Sequence, residues 1–310
     1  MMQLQMAAMG TDCLLILHGL EGDPAGEEAL ERAAQQVRRY EERFSRFRPD
    51  SELTRLNDSP QGQVQVGAEL GALVARSLGY ARVSGGLFDP VVLDDLLALR
   101  YDRTFEDVRA RPHEKAVVEA PRFRWRDIRV DAAHHVVARP CGARVDLGGI
   151  AKGAAADAAI AELSSYPGAL VDLGGDIRVR GRPADADSWI IAVEDGQSED
   201  GSLDYIRLRD GAVATSSLRK RRWRHNGDAV HHIIDPRSGQ PARSGVLQCS
   251  VIADTTEHAE VAAKVGFIRG PGFLHERSEL GKALGVRGIA WLTLDGAYRR
   301  TSGWRKHELD

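Results

Sequence analysis

From Ile128 onward the chain is a succession of short apolar runs punctuated by glycine, interrupted by only two Ala-rich stretches. The runs at 143–147, 169–173, 176–180, 188–193, 205–209, 230–234, 246–252 and 287–294 read as strands, and 150–164 and 256–268 read as helices. Strands do not alternate one for one with helices, which disfavours a doubly wound parallel sheet. The pattern predicts an α+β protein with a largely antiparallel sheet.

The first part of the chain reads differently. The apolar run Thr11–His18 is an opening strand, and Asp23-Pro24 sets up a helix with proline at its first position. Leu30, Ala33, Ala34, Val37 and Phe44 recur at helical spacing, predicting a helix over 24–44. Pro49-Asp50-Ser51 breaks that pattern and can cap a short second helix. Leu70, Leu73, Val74, Leu78 and Ala81 mark a third, ended by Gly85-Gly86. The charged, weakly periodic stretch 100–126 is expected to be an irregular connection or a small subdomain. The organisation expected is one unit over 1–310, helix-rich over 1–127 and strand-rich over 128–310.

Composition narrows the partners. The 310 residues are 43 % hydrophobic and 28 % charged, and 42 basic against 45 acidic residues leave a formal charge of −3. That balance argues against a general nucleic-acid binder or membrane-surface protein. No run approaches the ~18 apolar residues that suggest a bilayer span. The opening residues carry no basic region and no lipobox cysteine, so a cytoplasmic location is expected. Cys13, Cys141 and Cys249 are too few and too scattered for a disulfide framework or a zinc motif.

Neither a G-x-G-x-x-G nor a Walker loop is present. The densest chemical signal is Val145-Asp-Leu-Gly-Gly-Ile-Ala-Lys-Gly153, where a carboxylate, two glycines and a lysine precede a helix. Free amides and a cation together favour a phosphate, although an ordinary strand–turn–helix with a surface lysine has the same signature. Asp172-Leu-Gly-Gly-Asp176 is a hairpin-type turn with two carboxylates. Ser84 to Pro90 reads either as a loop with a ligand-facing ring or as a helix cap with a buried anchor. His231 and His232 are adjacent, so on a strand they face opposite ways and cannot share one metal. One of them is a candidate proton carrier. The basic run 219–224 reads as a solvated hairpin face rather than a nucleic-acid contact.

Taken in order, these blocks form a pattern. Met9-Gly-Thr11, Ser45 to Asn57, Gly86-Leu-Phe-Asp-Pro90, Asp146 to Gly153, Asp172 to Asp176, Ala214-Thr-Ser216 and His232 to Gly239 follow one another along residues 6–270. The series resembles the ApbE family, the FAD:protein FMN transferases. The resemblance implies an α+β fold with a T-fold-like core and a smaller α/β part. It also implies an activity: cleavage of the FAD pyrophosphate with Mg²⁺, and transfer of FMN through a phosphoester to a threonine or serine of a target flavoprotein, with AMP released. Hydrolysis of FAD to FMN and AMP is the variant reaction.

Carried over by position, Met9 and Phe47 would lie against the flavin or adenine rings, and Gly86, Leu87, Phe88 and Asp89 would line the FAD pocket. Asp146 would hydrogen-bond FAD, and Lys152 would meet phosphate or the adenosine half. Gly149 would offer a backbone carbonyl to a metal. His232 would be the general base toward the acceptor hydroxyl, with Ile234 beside the adenine.

The sequence departs from the family pattern near its end. Glu260 stands where the resemblance implies an aspartate ligand to Mg²⁺, and Lys264 stands where it implies a threonine ligand. Three readings are open. Glu260 still binds Mg²⁺ while Lys264 neutralises phosphate; or Lys264, paired with Glu260 at the i, i+4 spacing that favours an ion pair, replaces the metal as a fixed charge; or catalysis is lost and the chain is an FAD-binding module. Ser217 is a smaller departure, since the family commonly has glycine after Thr-Ser.

Overall fold

The computed structural model describes residues 1–19, 22–109, 122–195, 201–219 and 221–309. Much of the stretch 100–126 and Lys220 of the basic run therefore lie outside the described residues. The chain divides into two compact units, each built from discontinuous pieces. The first comprises Met1–Glu41, Ile150–Ser217 and Ser244–Asp310; the second comprises Glu42–Gly149 and Leu218–Arg243.

The first unit is organised by one eight-stranded sheet. Its strands are β1 (Met2–Ala8), β2 (Thr11–His18), β3 (Gly168–Leu173), β4 (Ile177–Gly181), β5 (Gly211–Ser217), β6 (Val246–Ala253), β7 (Val286–Thr293) and β8 (Tyr298–Arg300). They lie side by side in chain order, and every neighbouring pair is antiparallel. The largely antiparallel sheet expected from the glycine-punctuated runs is thus a single sequential meander.

Side-chain alternation gives the sheet two buried faces. Along β3, Ala169, Val171 and Leu173 join Leu15 and Leu17 of β2 against two helices. These are α1 (Pro24–Phe44) and α2 (Ala151–Glu162). Leu170 points the other way, joining Val179, Val213 and Ile252 beneath the hairpin Trp189–Glu194/Ser202–Leu208 and Trp304. A third helix, α3 (Thr256–Arg269), meets the sheet through Ala212, Ala214, Ala253 and Ala259. Small residues at that contact let the helix backbone come close.

Local chemistry sets the ends of these elements. Asp23 accepts the Ala25 N–H at 3.1 Å and so caps α1 at the expected place. β1 and β2 are joined by Met9-Gly10, both with positive φ (55° and 67°), the signature of a type I′ turn. Glu41 accepts the Met9 N–H at 2.8 Å.

The second unit has short elements. A three-stranded sheet is formed by Gln63–Gln65, Val136–Ala138 and Arg129–Asp131. Ser51 caps the helix Glu52–Asp58, accepting from the Thr54 N–H at 3.0 Å. The helix Ala68–Val83 ends at Ser84, as the paired glycines predict. Leu96, Leu99, Tyr101, Val108, Val230 and Ile234 form a core cluster.

Two strand expectations are corrected. Residues 143–147 form no strand, because the Asn57 side chain takes the ladder's place. Its Nδ2 donates to the Val145 carbonyl and its Oδ1 accepts the Val145 N–H, both at 2.8 Å. The Asp146 N–H donates to the Pro90 carbonyl at 2.7 Å. The run 230–234 is split into Asp228–His231 and Ile234–Asp235, because the Ile233 N–H turns back onto His231 Nδ1 at 3.3 Å.

Candidate functional site

In the first unit, four charged side chains gather around the start of α2 and the middle of α3. Lys152, in the first turn of α2, forms an ion pair with Asp176 from the β3–β4 turn. Glu260 of α3 is buried and accepts the Gly153 N–H at 2.9 Å on Oε2. Its Oε1 meets Lys264 Nζ at 3.2 Å, four residues on along the same helix face. Burial pushes the Glu260 carboxyl upward, opposed by Lys264 and raised further by Asp176.

Gly153 makes this assembly possible. A Cβ there would fall 2.7 Å from the Glu257 backbone nitrogen and Cα and from the Thr256 carbonyl. The start of α3 is further tied to α2 by Asp157, which accepts the N–H groups of Thr256 (3.0 Å) and Glu257 (2.9 Å) and the Thr256 hydroxyl (3.1 Å). Arg178 stands 3.2 Å from the same carboxylate. Within the same unit, Thr215 shares a 2.8 Å hydrogen bond with Ser250, and Ser217 pairs with Gln248 at the end of β5. Met9 packs half-buried on the cluster beneath α1 and α2.

In the second unit, Arg46 organises a different group. Its guanidinium lies 4.0 Å from the Phe47 ring centroid and 4.7 Å from that of Tyr101, and donates to the Tyr101 carbonyl at 2.9 Å. Its Nε is 3.5 Å from Asp146 Oδ2. Tyr101 packs in turn on Trp223, with centroids 5.2 Å apart. Phe47 is 38 % exposed, the open end of this aromatic stack. Asp146 also accepts the Gly148 N–H at 2.7 Å, which shapes the turn containing Gly149.

The Gly86 to Asp89 segment is a helix cap with buried anchors. Gly85 and Gly86 take positive φ, and a Cβ on Gly86 would come 3.1 Å from Trp125 Nε1. Leu87 and Phe88 are buried, Phe88 edge-on to Tyr80 at 6.3 Å. Asp89 is buried too, accepting the N–H groups of Val91 (2.8 Å) and Trp125 (3.3 Å); burial lifts its carboxyl to about 6.

The two adjacent histidines separate in role. His231 is buried, its Nδ1 taking the Ile233 N–H, so its Nε2 donates to the Ala242 carbonyl at 3.1 Å. Burial lowers its pKa to about 4, and it stays neutral. His232 is half-buried next to it. Ile234 is packed into the core cluster with Leu96 and Tyr101.

Residues 9–279 match the ApbE family. The chain belongs to the ApbE family. It is 32 % identical over 284 residues to the FAD:protein FMN transferase of Treponema pallidum, covering 84 % of this chain and 77 % of that one. The ApbE protein of Thermotoga maritima superposes with a TM-score of 0.85 at 28 % identity, over 100 % of this chain and 99 % of that one. The flavin transferase ApbE of Vibrio cholerae shares the fold, with a TM-score of 0.76 at 22 % identity over 99 % of both chains.

Within this family member, the described residues contain no group of three His, Cys, Asp or Glu side chains arranged to hold a metal. No helix among them is long and apolar enough to cross a membrane. Sequence reasoning singled out Lys152, Asp176, Glu260 and Lys264 and paired Glu260 with Lys264 by their spacing, but not Lys152 with Asp176. It missed Asp157 and Arg46. The signal for Asp157 is present: between Lys152 and Glu162 it is the one charged residue in an Ala-rich helix.

Proposed function

We propose that the chain is an FAD:protein FMN transferase, moving FMN from FAD to a threonine or serine hydroxyl of a target flavoprotein and releasing AMP. The observation that carries this reading is the match of nearly the whole chain to the family, with an FAD:protein FMN transferase as a 32 % identical relative. The acceptor oxygen attacks the phosphorus of the FMN half, the P–O bond to AMP breaks, and the hydroxyl proton passes to a base. Phosphoryl chemistry of this kind depends mainly on positioning and charge neutralisation.

The residues present supply both. Lys152 and Lys264 are the cations for the phosphates, and His232 is the base, since both ring nitrogens of its neighbour His231 are taken up by backbone partners. Phe47 on Arg46 and Tyr101 offers a face for an aromatic ring, and Asp146 an acceptor. Met9, Gly86, Leu87, Phe88, Asp89 and Ile234 are assigned to FAD on the family resemblance.

The Mg²⁺ that the resemblance implies does not fit this donor set. Mg²⁺ demands a near-octahedral oxygen shell. Glu260 is already bonded to the Gly153 N–H and to Lys264, and an ammonium occupies the place of the second oxygen ligand. Gly149 offers only a backbone carbonyl. The three free cysteines, Cys13 and Cys249 buried and Cys141 exposed, fit a cytoplasmic setting.

The test is incubation of the protein with FAD, with and without a threonine-containing acceptor flavoprotein, followed by chromatography for AMP and FMN and a mass spectrum of the acceptor. AMP together with an acceptor gaining the mass of FMN is the expected result. AMP with free FMN and an unmodified acceptor would make the protein a pyrophosphatase. FAD retained with no AMP would make it a binding module.

A further inference from the structure

We propose that Lys152 and Lys264 form a fixed two-cation subsite that takes a diphosphate directly and stands in for a divalent metal. This deepens the transferase reading and rests on it for the identity of the natural ligand.

The argument is the orientation of the two ion pairs. The carboxylates of Asp176 and Glu260 are each 3 % exposed, whereas their lysine partners are 20 % and 22 % exposed. The anions are inside and the cations outside. A divalent cation approaching this surface meets two ammonium groups first. An anion meets the same groups with their counter-charges held behind them. Buried carboxylates fix the ammonium groups in place, so they need not reorganise when charge develops on a phosphate.

The scaffold holds this orientation. Glu260 Oε2 is committed to the Gly153 N–H at 2.9 Å, and Oε1 to Lys264 at 3.2 Å, so neither oxygen is turned outward as a ligand. Lys152 starts α2 and Lys264 sits on α3, and the two helices are locked together by Asp157 and by the close approach at Gly153. In the transfer itself, negative charge grows on the oxygen leaving with AMP as the P–O bond breaks. The ammonium groups compensate that charge while the acceptor proton goes to the base, so no metal or further reactant is required.

Three readouts on the full-length protein test this. Inorganic pyrophosphate is titrated calorimetrically in EDTA, Mn²⁺ binding is followed by electron paramagnetic resonance, and AMP release from FAD in the presence of the threonine-containing acceptor flavoprotein is compared in EDTA and in MgCl2. We expect pyrophosphate to bind in EDTA, Lys264→Thr to weaken it by about 10-fold or more, and Lys264→Arg to retain it. We expect no stoichiometric Mn²⁺ site in the unmodified protein, and equal AMP release with and without metal. AMP released only with Mg²⁺, or a stoichiometric Mn²⁺ site lost in Glu260→Gln, overturns the subsite while leaving the transferase intact. If no AMP forms under any condition the transferase reading falls, and the pyrophosphate titration still decides the subsite: binding insensitive to Lys264→Thr and Lys152→Gln overturns it. Should Lys264→Thr fail to fold with Glu260 stranded, Glu260→Gln/Lys264→Thr removes both charges and is read in the same way.

Discussion

Gly153 donates its backbone N–H to the buried carboxylate of Glu260 from a helix that cannot come closer to its neighbour. Glycine to alanine inside a helix ordinarily stabilises by about 0.5–1 kcal/mol. Here the added Cβ would meet backbone at 2.7 Å, which cannot swing away as a flexible side chain can. Overpacking wins, and Gly153→Ala is expected to destabilise the protein by about 1–3 kcal/mol, read as a lowered urea midpoint at unchanged slope.

Asp157 caps a helix from outside it. Thr255 accepts the His258 N–H at 3.2 Å from within the chain, while Asp157 satisfies Thr256 and Glu257 from α2. Asp157→Ala leaves two amides without this acceptor and removes the anion facing Arg178. A loss of about 2 kcal/mol is expected in chemical denaturation.

Met9 holds a left-handed backbone conformation at the β1–β2 turn, with φ 55°. Met9→Gly and Met9→Ala remove the same side-chain packing and differ in what the backbone tolerates. The glycine variant is expected to be the more stable of the two by about 1 kcal/mol, the same order as at position 153 but for a backbone-conformational and not a packing reason. Both should weaken FAD binding, measured by flavin fluorescence, if the thioether lies against a ring.

Asp89 and His231 set opposite pH dependences. Asp89 has its folded pKa raised to about 6 by burial, so its stability contribution is full below the ordinary carboxylate range and is lost as pH rises through 6. His231 has its folded pKa lowered to about 4, so its contribution is full above 6.5 and is lost as pH falls through 4. Each is worth up to about 3 kcal/mol across that window. Asp89→Asn should therefore raise stability at pH 7 relative to pH 4, and His231→Gln should do the opposite. Denaturation midpoints between pH 4 and 7 check both signs.

His232→Ala is expected to slow FMN transfer by about 10²–10⁴-fold, as loss of a general base does. FAD affinity should change only a few-fold. A rate within a few-fold of the parent would leave His232 a structural residue.

Much of the architecture was legible in local pattern. The strand Thr11–His18 and the helix Pro24–Phe44 occur at the expected bounds, because strong periodicity and a proline after aspartate mark them. β1 shows in the sequence only as the short alternation Met2, Leu4, Met6 between glutamines, without the dense apolar run that marks β2. The run 143–147 looked like a strand because its composition suits extension; what it lacks is a partner, and Asn57 takes that place from 88 residues away. The candidate site was legible as residues and, among its pairs, only as Glu260–Lys264, whose i, i+4 spacing on a helix favours an ion pair. Asp146, Lys152, Asp176, Glu260 and Lys264 each stand out in the sequence, yet only the fold shows that Lys152 selects Asp176 and not Glu260 as its partner.

The meander also has a consequence in time. The sheet is ordered as the chain is synthesised, but β2 ends at His18 and its next partner, β3, begins at Gly168. At about 5–20 residues per second, the ribosome needs roughly 8–30 s to deliver that partner. Throughout that interval the nascent chain carries a finished β1–β2 hairpin whose inner edge, with Cys13, Leu15 and Leu17, has nothing to pair with. Until residue 168 is delivered, that edge stands open to water and to wrong pairings.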